Sequence, residues 1–529
     1  MNAPASTLKL NDGQRAALCM GRDLLVSAGA GAGKTQVLGL RVLAILEEGR
    51  ATIDQIVAFT FTDKAAAEMR ERVQRLLHER ITELEAANQP ERLLRLQRAS
   101  HDFARNRIST VHAFCYRLLR EFAWEAGLEP GVALLDERAQ ALALETTSRR
   151  VLLQTREDDD AELSQSLVRL GTAVRLYSLT DTLAWLIRNR LAAQGALQRA
   201  CDAWADPDAE IARRRAAYDA LLGDSMRAVL AQLSKLNMKS AAKAPAGDKL
   251  RVAMEEISAL LPNPSPRKLA ELLFSSNGPK KFTTTGNKKT WAHDLKALDA
   301  NRAALAAAAL ALAQLDPSLL KYEFDEAHER RCGQCLLDLH TVFSRALPAY
   351  REACAGGLDF TDLEDGAIRL LQTQPALRAD ICVRARYILI DEFQDTNPTQ
   401  AQLFKLLTGD AHEPGRLFMV GDAKQSIYGF RGSDVRVFNH AITEVPRRNT
   451  DVADRPMQLP WGLACADTPE RRGGIVRLEH NYRTVAPLLE LGNGIFRGIF
   501  DTGQPPRDFD AAAQDMLPGR DKAPIGAHN

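Results

Sequence analysis

No uninterrupted apolar run reaches the roughly 18–20 residues that a membrane span needs, so insertion into a bilayer is not expected. The N-terminal stretch MNAPASTLKLND lacks a basic segment followed by an apolar one, so export is not expected either. Cysteine is sparse: eight are scattered through 529 residues without framework spacing. That excludes a disulfide-stapled scaffold and suits a reducing, cytoplasmic compartment. Cys332 and Cys335 form a lone pair with no second pair to complete a zinc or iron–sulfur set, so no metal is assigned there. An excess of one charge is missing too. Lys and Arg number 69 against 68 Asp and Glu, giving a formal net charge of +1. Attraction of nucleic acid by bulk charge is thereby excluded, and any such site must be local.

The length predicts about three to four domains. They are organised around Ser27 to Thr35, SAGAGAGKT, which follows the apolar run Leu24, Leu25, Val26. The pattern is strand, phosphate-binding loop, helix. Ala28, Gly29, Ala30, Gly31, Ala32 and Gly33 are small enough for successive backbone N–H groups to curl round a polyphosphate. Lys34 adds a point charge for the outer phosphates, the Thr35 hydroxyl can ligate Mg²⁺, and Gln36 lies beside them. Upstream, Gln14 sits in the first turn of a capped helix. It reads either as a solvated helix residue or as a bidentate partner for an adenine edge.

Ile56 to Thr60 is a second apolar strand, followed by a turn with Phe61 and Lys64 and then an amphipathic helix. An aromatic, hydroxyls and a lysine together suit a nucleotide backbone with one stacked base, although Phe61 alone reads equally as core. In the third cluster, Ile108 to Cys115, His112 either caps a helix or contacts phosphate, and Cys115 reads as a small buried residue. Residues 121–360 are Ala- and Leu-rich with helical periodicity and form an expected helical insertion. Inside it Lys280, Lys281, Lys288, Lys289 and Trp291 read as a solvated loop or as a strand-tracking one.

Beyond the insertion, Tyr387 to Ile390 is a short apolar strand that delivers Asp391 and Glu392 to its C-terminal edge. One carboxylate there can hold Mg²⁺ and the next can orient an attacking water. A fourth strand, Leu417 to Val420, runs into Gln425, Tyr428, Phe430 and Arg431, where phosphate sensors and aromatics share one turn. Tyr482 could stack on an adenine and Arg483 could serve as an arginine finger.

Together these residues resemble superfamily 1 DNA helicases of the UvrD type. AGAGAGKT, TFTDKAAAEM, STVHAFC, DEFQDT, VGDAKQSIYGFRG and NYRT match that family's motifs, in its order, across about residues 8–125 and 355–500. LLDE at Leu134 to Glu137 and LDFTDL at Leu358 to Leu363 look more like the AddA/RecB helicase–nuclease branch. The resemblance implies an α/β fold in which a RecA-like P-loop lobe (1–120 and 361–440) is interrupted by a 1B-like helical insertion (121–360). A partial second lobe follows (441–529). It implies ATP and Mg²⁺ as cofactors, adenine contact by Gln14 and Tyr482, phosphate contact by Lys34, Mg²⁺ ligation by Thr35 and Asp391, and Glu392 as general base. Gln425, Arg431 and Arg483 are implied γ-phosphate sensors, and Phe61, Lys64, His112, Tyr428 and Phe430 implied DNA contacts. Single-stranded and duplex DNA are the implied partners, with 3′ to 5′ movement and a nuclease or second helicase subunit beside them.

Three departures stand out. Asp63 replaces the usual Asn, Gln36 replaces a frequent Arg, and no TxHxxKGLE-like or VAxTRA-like motif precedes Asn529. The second lobe is therefore expected to be truncated, and two readings remain. One is a DNA motor; the other is an ATP- and single-strand-binding subunit that does not unwind alone. A small-molecule P-loop kinase would leave DEFQDT and QSIYGFRG without a role.

Overall fold

The structure, a computed structural model, describes residues 9–153, 161–173, 176–262, 264–275, 278–280, 282, 285–315, 324–409, 413–429, 432–500 and 514–519. The chain divides into two compact units, one of residues 1–140 and 354–529, the other of residues 141–353.

The first unit is built on a six-stranded, all-parallel sheet. Its strands are β1 (Leu24–Ala28), β2 (Ile56–Thr60), β3 (Arg107–Thr110), β4 (Tyr387–Ile390), β5 (Leu417–Gly421) and β6 (Ile475–Leu478), in the spatial order β3-β2-β4-β5-β1-β6. Parallel strands need crossovers, and the helices that supply them cover both faces. On one face, Leu24, Val26, Ala58, Leu389 and Val420 pack with α2 (Lys34–Glu47) and α3 (Asp63–Ala86). The alternate residues Leu25, Val57, Phe59, Ile390 and Met419 face the other way. They meet α4 (Val111–Glu121), α5 (Phe360–Thr373), α6 (Pro398–Thr408) and α7 (Val435–Arg448). This period-2 split is why the four apolar runs read as fully buried strands rather than alternating ones. A short α1 (Asp12–Ala16) precedes β1 and α8 (Ala486–Phe500) follows β6. Among the described residues no helix is long and apolar enough to cross a membrane.

Two boundaries differ from the sequence reading. The expected second lobe from 441 does not begin there: β6 pairs in parallel with β1, Val26 opposite Val476, and completes the first sheet. The helical unit is 141–353 rather than 121–360, because Leu135 N–H donates to Leu358 O at 2.9 Å and Leu358 N–H to Ala133 O at 2.9 Å. These bonds bring the flanks of the insertion together within the first unit.

The second unit is helical, with a core that includes Leu250, Trp291, Leu298 and Leu305. Its Ala-rich run lies in the helix Leu295–Leu312. Trp291 is fully buried, and its indole N–H donates to Asp248 Oδ1 at 3.1 Å. It therefore cannot serve as an exposed stacking platform beside Lys280, Lys288 and Lys289, and Lys281 lies outside the described residues.

Candidate nucleotide and nucleic-acid site

The site lies at the C-terminal edge of the sheet, where β1, β2, β3, β4 and β5 all release their turns. Between β1 and α2, Gly31 and Gly33 have φ of +74° and +89°, in the left-handed region. Both are also crowded. A Cβ on Gly31 would stand 2.8 Å from Arg483 Cβ, and one on Gly33 would stand 2.7 Å from Gln14 Nε2. Only glycine meets both demands. Gly33 caps α2 without any side-chain hydrogen bond, which leaves the cap position itself free of a side chain at the helix end where anions bind. Thr35 and Gln36 are half-buried in its first turn.

The loop is held by residues distant in sequence. Gln14 is buried, and its Nε2 donates to Ala32 O at 2.9 Å while its Oε1 accepts from Asn11 N–H at 3.1 Å. Asn481 Nδ2 donates to Ala30 O at 2.7 Å, and Tyr482 N–H donates to Gly31 O at 2.9 Å. Asn11 Nδ2 in turn donates to the Tyr482 hydroxyl at 2.9 Å. Gln14, the phosphate loop, Tyr482 and Arg483 are therefore one assembly, in which the Gln14 amide has both its donor and its acceptor engaged. Ser27 Oγ also donates to Gln514 Oε1 at 2.9 Å.

At the end of β4, Glu392 adopts φ +50° and ψ +45°, a left-handed conformation that costs a non-glycine residue about 1–2 kcal/mol. The conformation is compensated by contact: Lys34 Nζ lies 2.7 Å from Glu392 Oε2. Asp391 accepts from Glu392 N–H at 3.0 Å, and its own N–H donates to Phe59 O at 2.9 Å. Burial, and then the neighbouring Glu392, push the Asp391 carboxyl up to about 6, and the same two causes push Asp395 up to about 6. Asp395 Oδ1 is buried without a hydrogen-bond partner. Three carboxylates thus crowd one lysine, a local shortage of positive charge that a divalent cation would relieve.

Gln394, passed over in the sequence, connects this cluster to the next strand. Its Nε2 donates to Glu392 Oε2 at 2.9 Å and to Asp395 Oδ2 at 3.2 Å, and its Oε1 accepts from Asp422 N–H at 2.8 Å. Asp422 binds Lys424 Nζ at 3.1 Å and accepts from Gln425 Nε2 at 2.7 Å. Gln425 is thus linked to Glu392 through Asp422 and Gln394. The signal available for Gln394 and Asn481 was their place inside DEFQDT and NYRT, but an amide's partners are set by tertiary structure. Phe430 and Arg431 lie outside the described residues.

On the same edge, Phe61 and Tyr428 are half-buried and stacked on each other, ring centroids 4.6 Å apart at 30°. Phe61 is thus paired at the rim rather than sunk in the core. Lys64 is exposed, 3.9 Å from Glu68. His112 lies 3.2 Å from Glu364 Oε1, a buried carboxylate that also accepts from Gln400 Nε2 at 2.7 Å, and its ring packs 4.9 Å from Phe360. A phosphate reaching His112 would have to compete with Glu364. Asp63 accepts from the Thr110 hydroxyl at 3.4 Å, which ties the β2 and β3 turns together.

Among curated proteins the chain is similar to an ATP-dependent helicase/nuclease subunit of Latilactobacillus sakei subsp. sakei (strain 23K). The two are 28% identical over 526 residues, covering 93% of this chain and 55% of that protein. The Geobacillus thermodenitrificans (strain NG80-2) protein of the same name is 27% identical over 563 residues, covering 98% of this chain and 42% of its own length. The chain spans about half the length of these relatives. Residues 10–446, most of its length, match the UvrD/REP helicase N-terminal domain, and the chain belongs to that family.

Proposed function

We propose that this chain carries the ATP-hydrolysing motor of a DNA helicase of repair or recombination, moving 3′ to 5′ on single-stranded DNA. The observation that carries the reading is the 2.7 Å contact between Lys34 and Glu392, which joins the phosphate loop to the acidic end of β4. Triphosphate oxygens entering the loop compete for Lys34 and release Glu392 to accept a proton from the attacking water. Gln14 and Tyr482 bracket the adenine. Arg483 and Gln425, with Arg431 from the adjoining turn, meet the γ-phosphate. Thr35 and Asp391 would hold a magnesium ion, which would supply screening of the phosphate charge. Phe61 and Tyr428 are the stacking platform for bases, with Lys64 and Phe430 beside them, and His112 contributes when Glu364 yields it.

Coupling follows the bonded route from Glu392 through Gln394 to Asp422 and Gln425, three residues before Tyr428. A change at the phosphates is thereby passed to the turn that grips DNA. None of the eight cysteines is in a disulfide, in keeping with action in the reducing cytoplasm. The printed name of the relatives, a helicase/nuclease subunit, supports a second subunit or nuclease as partner.

A second reading is an ATP- and single-strand-binding subunit without unwinding of its own. Steady-state ATP hydrolysis with and without single-stranded DNA, beside Glu392→Gln, separates the two. Stimulation that Glu392→Gln abolishes supports the motor. Nucleotide binding without turnover in either protein supports the binding subunit. Displacement of a block from the 5′ end but not the 3′ end of a single strand would support the polarity.

A further inference from the structure

At the end of β3 opposite the one that carries Thr110 and His112 lies a cleft of about 240 Å³ that the nucleotide chemistry does not use. Its walls include Arg105, Arg107, Arg117 and Arg384 against the single carboxylate Glu121. Glu121 is already engaged, 2.7 Å from Arg384, and Arg384 also pairs with Asp380. Arg105, Arg107 and Arg117 make no ion pair among the described residues. Among the described residues Arg117 donates only to the Ser109 hydroxyl, at 2.8 Å. Burial, together with the positive charge of Arg107 and Arg70, holds the Arg117 guanidinium below its usual range, as expected where cations gather without a counter-charge.

The floor is apolar: Phe114, Leu118, Phe122 and Ile381 line it. Large apolar residues adjoin it in sequence on both sides and are exposed, Trp124 by 82% and Val383 by 69%. Arginines beside aromatic and aliphatic side chains are the composition of a protein-binding surface. A nucleic-acid strand would ask for cations strung along a track with open faces for bases. Here the cations ring one cavity smaller than the usual small-molecule pocket, on the scale of a single large side chain.

We infer that this cleft docks an acidic segment of a partner protein, with one large apolar side chain on the Phe114–Phe122 floor and flanking carboxylates on Arg105, Arg107 and Arg117. The arginine fork suits carboxylates, paired or single, and desolvation by the floor strengthens each contact. The inference stands apart from the nucleotide site and would survive the failure of the motor reading.

The test is fluorescence anisotropy of a fluorescein-labelled peptide, Asp-Asp-Asp-Leu-Phe, titrated with the full chain at about 50 mM salt, where surface charge is weakly screened. The expected result is saturable binding that weakens about tenfold or more in Arg107→Glu and in Arg117→Glu. The same loss is expected when the peptide's Phe is replaced by Ala or its Asp residues by Lys. Arg105→Glu, at the exposed rim, gives a weaker loss in the same direction and guards against misfolding of the other two. Binding of a fluorescent ATP analogue, unchanged in all three, reports that the fold is intact. No binding up to about 1 mM, a range that already admits very weak complexes, would overturn the inference. So would equal affinity in all three variants. An oligo-dT probe that loses affinity in Arg107→Glu while the peptide does not would reassign the cleft to nucleic acid.

Discussion

Asp391 and Asp395 stand in the folded chain as carboxyls raised to about 6, against 3.8 for an ordinary aspartate. The folded state therefore binds protons that the unfolded chain has released, and stability falls as pH rises from about 4 through 6. Above that window the penalty is complete. In EDTA, Asp391→Asn is expected to raise the melting temperature at pH 7.5 by about 1–3 °C, roughly 1–2 kcal/mol. The gain should shrink towards zero as pH approaches 4, and a gain independent of pH would contradict it. Gln394 is the other residue with a specific expectation. Removing its amide in Gln394→Ala leaves Glu392 and the Asp422 N–H without a shared partner. DNA-stimulated kcat for ATP should drop about 10- to 100-fold while KM moves by less than about threefold, as when an interaction needed for chemistry rather than binding is lost. A KM effect alone would place Gln394 outside the coupling route.

Among the elements, the turn between β1 and α2 is the most constrained. Gly31→Ala asks a left-handed residue to accept a Cβ 2.8 Å from Arg483 Cβ and 2.9 Å from Asn481 Oδ1. Undocking of Asn481 and Tyr482 from the loop should cost about 1–3 kcal/mol and lower nucleotide affinity at least tenfold by isothermal titration. The start of β1 is pinned as firmly. Asp23 is fully buried, accepts from Gly415 N–H and Leu417 N–H at 3.0 Å each, and pairs with Arg448 at 2.8 Å. Asp23→Ala should cost about 2–3 kcal/mol in urea unfolding, because it strands buried donors of β5 and α7 at once. These elements were legible to different degrees. Ile56–Thr60 and Tyr387–Ile390 could be bounded from sequence because each is a short apolar run ending in a turn. Ile475–Leu478 could not be assigned to the first sheet, since its partner β1 lies some 450 residues away and Arg477 interrupts its apolar pattern. Trp291 looked available beside its lysines, and only the buried Asp248 reveals why its indole is held inside.

At the scale of the whole molecule, one sheet gathers residues from both ends of the chain at a single edge: Gln14 and Lys34 from the first strand's surroundings, Glu392 and Gln425 from the middle, Tyr482 from beyond β6. The sequence motifs carried that gathering, because each except the one with Gln14 sits just past a strand end. The bonds that connect them run through Asn11, Gln394, Asp422 and Asn481, and no spacing rule announces those. On the function proposed, the phosphate loop and the Phe61–Tyr428 stack work as one coupled device. Its most direct measurement is the affinity of this chain for a single-stranded oligo-dT, by anisotropy, with a non-hydrolysable ATP analogue and with ADP. Coupling of typical size predicts a difference of about fivefold or more between the two nucleotide states, reduced to near unity in Gln394→Ala. Equal affinity in both states would contradict that coupling.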